Sequence, residues 1–294
     1  MNLMKYKLVY FIFSTILILP GLYFLITSGL KFGIDFTGGA LLEYSLQGIV
    51  DSEQLRKIVI DRGVEVGTII EAGDSVYIIK TKPLDQDQIN RVKEVLSEKY
   101  GPIEERRVEN VGPVIGNELK QKAIYALIVS IITIVLYIAF TFRKVPKPAS
   151  SVRFGIAAIV ALLHDILLVV GVFAILGHYL GVEVDTLFVT AILTIIGFSV
   201  HDTIVVFDRT RENLIKNIGK KFEDVANISV VQTLGRSLNT SLTVVFVLTA
   251  LLLFGGESIK WFVVALLIGI ISGTYSSIFN ATALLAWWEE KLGH

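Results

Sequence analysis

The chain has 294 residues, 53% of them hydrophobic and only 18% charged, with 27 basic against 27 acidic side chains and a mean hydropathy of +0.66. That composition is too apolar for one soluble core and places the chain in a bilayer. The balanced charge and the lack of a long basic run exclude a nucleic-acid surface, and the absence of cysteine excludes disulfides, thiolate metal centres and cysteine nucleophiles.

Crossing the hydrocarbon takes about 20 apolar residues, and the first such stretch is 8–30. Lys5 and Lys7 ahead of it look like the start of a signal peptide. Its length, and the lack of a small-x-small site before Lys31, mark it instead as a retained span.

Residues 31–122 are more polar and alternate between strand and helix patterns. A strand is predicted over 40–46. Asp51 is placed to cap a helix with Gln54 three residues on, and Leu55, Ile58 and Val59 form its apolar stripe before Gly63 ends it. Strands over 64–70 and 75–81 flank a turn at Gly73-Asp74. A second helix starts at Asp85, buries Ile89, Val92 and Leu96, and stops at Gly101-Pro102, before a last strand over 103–111. The order β-α-β-β-α-β is that of a split, ferredoxin-like α+β domain.

Five more apolar stretches follow at 123–142, 154–176, 186–207, 237–256 and 261–288. The expected fold is therefore a polytopic α-helical membrane protein. Six transmembrane helices carry an α+β ferredoxin-like domain between helices 1 and 2, with loops at 143–153 and 208–236 and a tail at 289–294. Basic residues gather at the N-terminus and in those two loops, including Arg143, Lys144, Lys147, Arg153, Arg209 and Arg211, whereas loops 177–185 and 257–260 carry only Lys260. That bias puts both termini in the cytoplasm and residues 31–122 outside.

Ionisable groups at membrane depth are costly and mark candidate sites. Asp165, after His164, lies well inside the third helix, and Asp202, after His201, lies near the inner end of the fourth. Asp202 shares a helical face with Ala191, Ile195, Ser199 and Val206. Arg236, Asn239, Thr240 and Thr243 at the start of the fifth helix form a polar stripe able to serve an inward carboxylate. Burial and a nearby Arg236 act on such a carboxylate in opposite senses, which is how an ion-binding group is tuned. The plainer alternative is a fixed ion pair that specifies packing. For Asp165 the plainer alternative is a hydrogen bond to a neighbouring helix.

Each His points about 100° away from its Asp, so neither doublet is a dyad by spacing alone. Gly269 and Gly273, continued by Ser276, Ser277 and Asn280, read as a helix-packing face. Trp287 and Trp288 read as interfacial anchors. Asp208, Arg209, Arg211 and Glu212 form a solvated cap or a docking surface. With four His and no H-E-x-x-H spacing, no metal is expected. There is no P-loop, nucleophile elbow or dinucleotide fingerprint, and Gly38-Gly39 lacks the spacing to cradle phosphate, so no enzyme activity and no cofactor are expected either.

Several of these segments form longer motifs. Phe32-Gly33-Ile34-Asp35-Phe36-Thr37-Gly38-Gly39 closely resembles the G-x-D-F-x-G-G signature of the SecD/SecF family of export proteins. The stretch from Gly197 to Arg209, followed by Arg211-Glu212-Asn213, is similar to the motif of the SecF branch. Val111-Gly112-Pro113 leading into Gly116, Leu163-His164-Asp165, and Thr233-Leu234-Gly235-Arg236-Ser237-Leu238 also match, so the resemblance covers residues 5 to 285.

The resemblance implies a cell-membrane subunit that pairs with SecD in a twelve-helix, pseudo-symmetric assembly akin to resistance-nodulation-division transporters. It implies work with the SecYEG translocon, using proton or sodium motive force to move unfolded preproteins across the lipid bilayer. Asp202 would carry the ion-coupling carboxylate and Arg236 its basic partner, with Ser199, Asn239 and Thr240 in support and Asp165 a weaker carry-over. Gly33, Asp35, Gly38 and Gly39 would form the junction between the first helix and the external domain, although a tight turn alone accounts for the glycines. Two other readings remain. One is a scaffold that stabilises the translocon and moves no ion. The other is a half-sized exporter of small solutes, disfavoured by the single short external domain.

Overall fold

A computed structural model describes residues 2–73, 75–143, 145–146 and 149–291. Asp74 of the expected turn, Lys144 and Lys147 of the basic loop, and the tail beyond Lys291 lie outside the described residues. The chain divides into two units, Phe32–Ile124 and a bundle formed by the residues up to Lys31 together with those from Tyr125 onward.

In the bundle, α1 (Lys7–Thr27) follows a short turn of helix. In the other unit a four-residue helix, α2 (Ile34–Thr37), precedes β1 (Gly39–Ser45), α3 (Ser52–Ile60), β2 (Val66–Glu71), β3 (Val76–Thr81), α4 (Gln86–Tyr100) and β4 (Glu104–Val111). The strands form one antiparallel sheet in the order β2-β3-β1-β4. Alternation sends Ala40, Leu42 and Tyr44 of β1 and Tyr77 and Ile79 of β3 to one face, where Leu55 and Val59 of α3 and Ile89, Val92 and Leu96 of α4 complete a core. Asp51 caps α3 as expected but accepts from the Glu53 N–H at 3.2 Å. The reciprocal capping box forms on α4, between Asp85 and Gln88.

The Gly38-Gly39 pair has a steric reason. Its φ angles are +75° and +147°, and a Cβ on Gly39 would sit 2.8 Å from the Thr81 carbonyl oxygen. The two residues turn the chain from α2 into β1 within a crowded space.

The bundle continues with α5 (Pro113–Thr141), whose C-terminal part lies there, then α6 (Ser151–Leu180), α7 (Thr186–Lys216), α8 (Phe222–Phe254) and α9 (Glu257–Tyr275). A π-helical turn (Ser276–Ala281) leads into α10 (Thr282–Lys291). Among the described residues six runs are long and apolar enough to cross a membrane: Met4–Thr27, Pro113–Thr141, Ser151–Leu180, Thr186–Lys216, Phe222–Phe254 and Glu257–Lys291. The chain is a multi-pass membrane protein. Buried side chains concentrate on α6, α7 and the sixth run, which make the bundle's centre, while α1 and α5 bury little.

The 208–236 stretch, expected as a loop, is helical over most of its length, because α7 runs on to Lys216 and α8 starts at Phe222. Ion pairs one turn apart, Arg209–Glu212 at 2.7 Å and Arg211–Asp208 at 2.5 Å, support the extension. Asn213 Nδ2 donates to Ser229 Oγ at 2.9 Å and to Gln232 Oε1 at 2.8 Å, clipping the two helices together. Gly269 and Gly273 allow α9 to approach α7, since Cβ atoms there would lie 2.2 Å from Ile195 Cδ1 and 3.2 Å from Ser199 Cβ.

Candidate functional site

Of the three buried carboxylates among the described residues of the bundle, Glu289 on α10 pairs with Arg153 at 2.8 Å, and the other two, Asp165 and Asp202, stand in different surroundings. Asp165 of α6 is fully buried and accepts from every side. Ser199 Oγ of α7 donates to its Oδ2 at 2.7 Å, Ser276 Oγ of the π-helical turn to the same oxygen at 2.6 Å, and Ser272 Oγ of α9 to Oδ1 at 2.7 Å. His164 Nδ1 lies 3.0 Å from Oδ1. The imidazole therefore reaches back to its neighbour, contrary to the reading that put the pair 100° apart. Three hydroxyls from two other spans give the carboxylate the donors that water would otherwise supply.

The helix geometry accounts for this convergence. Ser272 and Ser276 are one turn apart on the sixth run, and Gly273 between them lets α9 lie close against Ser199, since a Cβ there would stand 3.2 Å from Ser199 Cβ and 3.3 Å from its Cα. The π-helical turn then spreads its polar residues over three neighbours. Ser276 meets Asp165 on α6, Ser277 Oγ meets Thr203 Oγ1 on α7 at 2.8 Å, and Asn280 Nδ2 donates to Ser14 Oγ on α1 at 2.6 Å. Such widened turns are rare and recur at functional sites.

Asp202, on α7, is 3% exposed, and its Oδ2 has no hydrogen-bond partner. His201, Ser241 and Arg236 are its electrostatic neighbours. Among the described residues Asp202 and Arg236 form no ion pair within 4 Å. Arg236, Asn239 and Thr240 lie exposed on the surface of α8, and Thr240 Oγ1 donates to its own helix, at the Arg236 carbonyl. The inward stripe of α8 is instead Thr233, Ser237 and Ser241, all buried. The expected stripe is thus offset by one residue, which on a helix is 100°. Ser241 reaches Thr274 Oγ1 at 2.6 Å and ties α8 to α9.

Ser199, expected to support Asp202, instead serves Asp165. Ser272 and the role of Ser276 were missed. The signal for them was a run of small hydroxyl residues at helical spacing facing an apolar-buried Asp, which reads equally as packing. Gly33, Gly38 and Gly39 fall at the α2–β1 turn, with Asp35 half-buried in the first turn of α2. No group of three or more His, Asp or Glu residues able to hold a metal occurs among the described residues.

A family model described as "Protein export membrane protein SecD/SecF, C-terminal" matches residues 91–291, and one described as "SecD/SecF GG Motif" matches residues 23–48. The protein translocase subunit SecF of Thermobaculum terrenum is 45% identical over 99% of this chain and 94% of its own length. The protein translocase subunit SecDF of Bacillus subtilis is 38% identical over 96% of this chain, which spans 37% of that longer protein. The crystal structure of SecDF from Thermus thermophilus, described as a translocon-associated membrane protein, matches with a TM-score of 0.86 at 31% identity, over 99% of this chain and 39% of that one.

Proposed function

The chain belongs to the SecD/SecF family of protein-export membrane proteins, and from that membership we propose that it couples transmembrane proton or sodium flow to preprotein movement as one half of a SecD-paired complex. In this reading Asp202 binds the ion and Arg236 modulates it. The observation that carries the reading is the state of Asp202: a carboxylate held in the bundle with one oxygen unpartnered has a free place for a proton or cation.

The surface beside it supports the same reading. His201 and Arg236 are exposed on helices long enough to span the bilayer, and an arginine facing hydrocarbon is expensive. A second helical bundle covering that face removes the cost, and SecD is the partner the family supplies. With six spans this chain provides one side of a two-bundle interface of the kind that rocks in ion-coupled transporters. The antiparallel sheet unit, with its β-α-β-β-α-β order, is in this reading a ferredoxin-like domain on the outer face. Both termini are cytoplasmic, SecYEG is the channel served, and the chain itself has no catalytic chemistry.

The test is export of a reporter preprotein into vesicles that hold this chain and SecD, comparing wild type with Asp202→Asn at equal complex assembly. Loss of the gradient-dependent part of export is the expected result. Export that keeps its full gradient dependence sinks the proposal and leaves the scaffold reading. The closed hydrogen-bond shell of Asp165 favours a scaffold role for that one residue, since a carboxylate with four neighbouring donors has little need of a further ligand.

A further inference from the structure

Where α7 turns back into α8, two large apolar side chains are left uncovered. Ile215 is 61% exposed and Ile218 87%, three residues apart on the last turn of α7 and the tip that follows it. No other large apolar side chain among the described residues 208–230 is exposed. A lone exposed isoleucine is ordinary, but this pair stands among charges of one sign. Residues 214–221 include three lysines and no acid. Lys216, Lys220 and Lys221 are all exposed; Lys216 reaches Glu212 only at 3.8 Å, and the other two form no ion pair among the described residues. The ion-coupling reading uses none of these side chains.

Contacts just beyond the tip fix its depth. Phe222, the first residue of α8, packs on Phe154 in the first turn of α6, with ring centroids 6.4 Å apart. Glu223 lies 3.7 Å from Lys7 Nζ at the start of α1, and the same ammonium pairs with Glu290, which follows Trp287 and Trp288 on α10. Asn227 Oδ1 accepts the Leu3 N–H at 2.7 Å. The ends of α1, α6 and α10 therefore gather beside the start of α8, at the level where a spanning chain leaves the hydrocarbon and tryptophans mark the interface. The headgroup layer that begins there is about 6 Å thick. Four residues from Phe222 to Ile218 reach at most about 14 Å, so the tip lies within or just above that layer.

An anionic lipid layer answers both features of the tip at once. Its phosphates suit the ammonium groups, the apolar boundary beneath suits the isoleucines, and the lysine stems bridge the two depths.

We propose that the α7–α8 tip docks on anionic lipid headgroups, with Lys216, Lys220 and Lys221 on the phosphates and Ile218 sunk into the layer beneath. The joint between the two helices that carry Asp202 and Arg236 is then anchored to lipid.

The chain has no cysteine, so a single one can be placed as a label site. The probe is an environment-sensitive fluorophore at Ile218→Cys on the whole chain in nanodiscs, with quenching read from water by acrylamide and from the bilayer by nitroxide-labelled lipid. In phosphatidylcholine mixed with phosphatidylglycerol the label should be quenched by lipid, and in phosphatidylcholine alone by acrylamide. Lys216→Gln, Lys220→Gln and Lys221→Gln together should lower the docked-to-free ratio roughly a hundredfold, at about fivefold for each lysine. With the label moved to Ile215→Cys, Ile218→Asn should weaken docking severalfold. Ile49→Cys in the sheet unit, where the native side chain is also 87% exposed, controls for the fluorophore's own affinity for lipid and should stay open to acrylamide in both nanodiscs. All these substitutions are at exposed side chains, so loss of fold does not enter. A tip label quenched by acrylamide equally in both nanodiscs overturns the proposal and leaves the tip to a soluble partner. A label buried equally in both lipids removes the lysines from the account and overturns it too. Because the readout is local accessibility, the result stands whichever way the export experiment falls.

Discussion

Asp165 and Asp202 are both carboxylates buried in the same bundle, yet one is surrounded by donors and the other is left with an oxygen unpartnered. Burial alone therefore does not mark the residue that moves an ion. A satisfied carboxylate is part of the architecture: it holds α6, α7 and the sixth span in register and gains nothing from a further ligand. An unsatisfied one stores a cost that a proton or cation relieves. The difference comes from which helix faces meet. Ser199, Ser272 and Ser276 converge on α6, whereas the polar stripe near Asp202 faces the outside of α8 and leaves Ser241 as the inward hydroxyl.

The largest effect on stability belongs to the satisfied site. Asp165→Ala removes the acceptor of three hydroxyls in one step and should lower the stability of the folded bundle by about 4 kcal/mol, measured by denaturant titration in mixed micelles. A loss below about 1 kcal/mol would mean that the serine shell is incidental.

The same contrast recurs in the sheet unit. Tyr77 Oη accepts the Val50 N–H at 2.7 Å, while the buried Tyr44 Oη has no partner, and burial, helped by the Glu105 charge, pushes the Tyr44 phenol up to about 12 from 10.0. Below pH 10 both folded and unfolded chains keep the proton. Between 10 and 12 only the unfolded chain releases it, so stability falls with rising pH across that window by about 2 to 3 kcal/mol. Tyr44→Phe should abolish that alkaline loss at little cost near neutrality. Difference titration of tyrosinate absorbance between the two proteins checks it, and a Tyr44 midpoint near 10 would contradict the assignment.

Much of the architecture was legible in the sequence because the signals were local. The charge-poor stretches of about 20 residues located all six spans. Asp51 and Asp85 at the starts, and Gly63 and Gly101 at the ends, bounded the helices of the sheet unit from their own neighbours. The candidate site was legible only in part. Which residue types mattered could be read, since an Asp within an apolar helix is conspicuous, but the partner of each could not. Choosing Ser241 over Thr240, or Asp165 over Asp202 as the partner of Ser199, depends on a rotation of 100° and on how closely α9 approaches α7. That approach is set by Gly269, Gly273 and a π-helical turn, and helical periodicity carries no mark of a π turn.

Smaller effects separate the two sites more finely. Ser276→Ala removes one donor from the Asp165 carboxylate and should cost about 2 kcal/mol, whereas Ser237→Ala, at a buried hydroxyl with no partner, should cost less than about 0.5 kcal/mol. Both residues are buried serines on spanning helices, so the pair controls for loss of volume. Equal losses in the denaturant titration would show that packing, not the carboxylate, sets the cost.

The smallest change in stability is expected at the residue proposed to bind the ion. Asp202→Asn keeps the shape of the side chain and removes a carboxylate from a buried site where its Oδ2 has no hydrogen-bond partner. Replacing an incompletely paired buried charge with a neutral isostere is close to neutral or stabilising, so the shift should lie within about 1 kcal/mol of wild type, with the sign toward greater stability. The outcome ties the two halves of the comparison together. If Asp202→Asn were as destabilising as Asp165→Ala, both carboxylates would be structural, and a loss of export in the Asp202 variant would report damage to the bundle. If stability holds while gradient-dependent export is lost, the unpartnered oxygen is the one that the ion occupies.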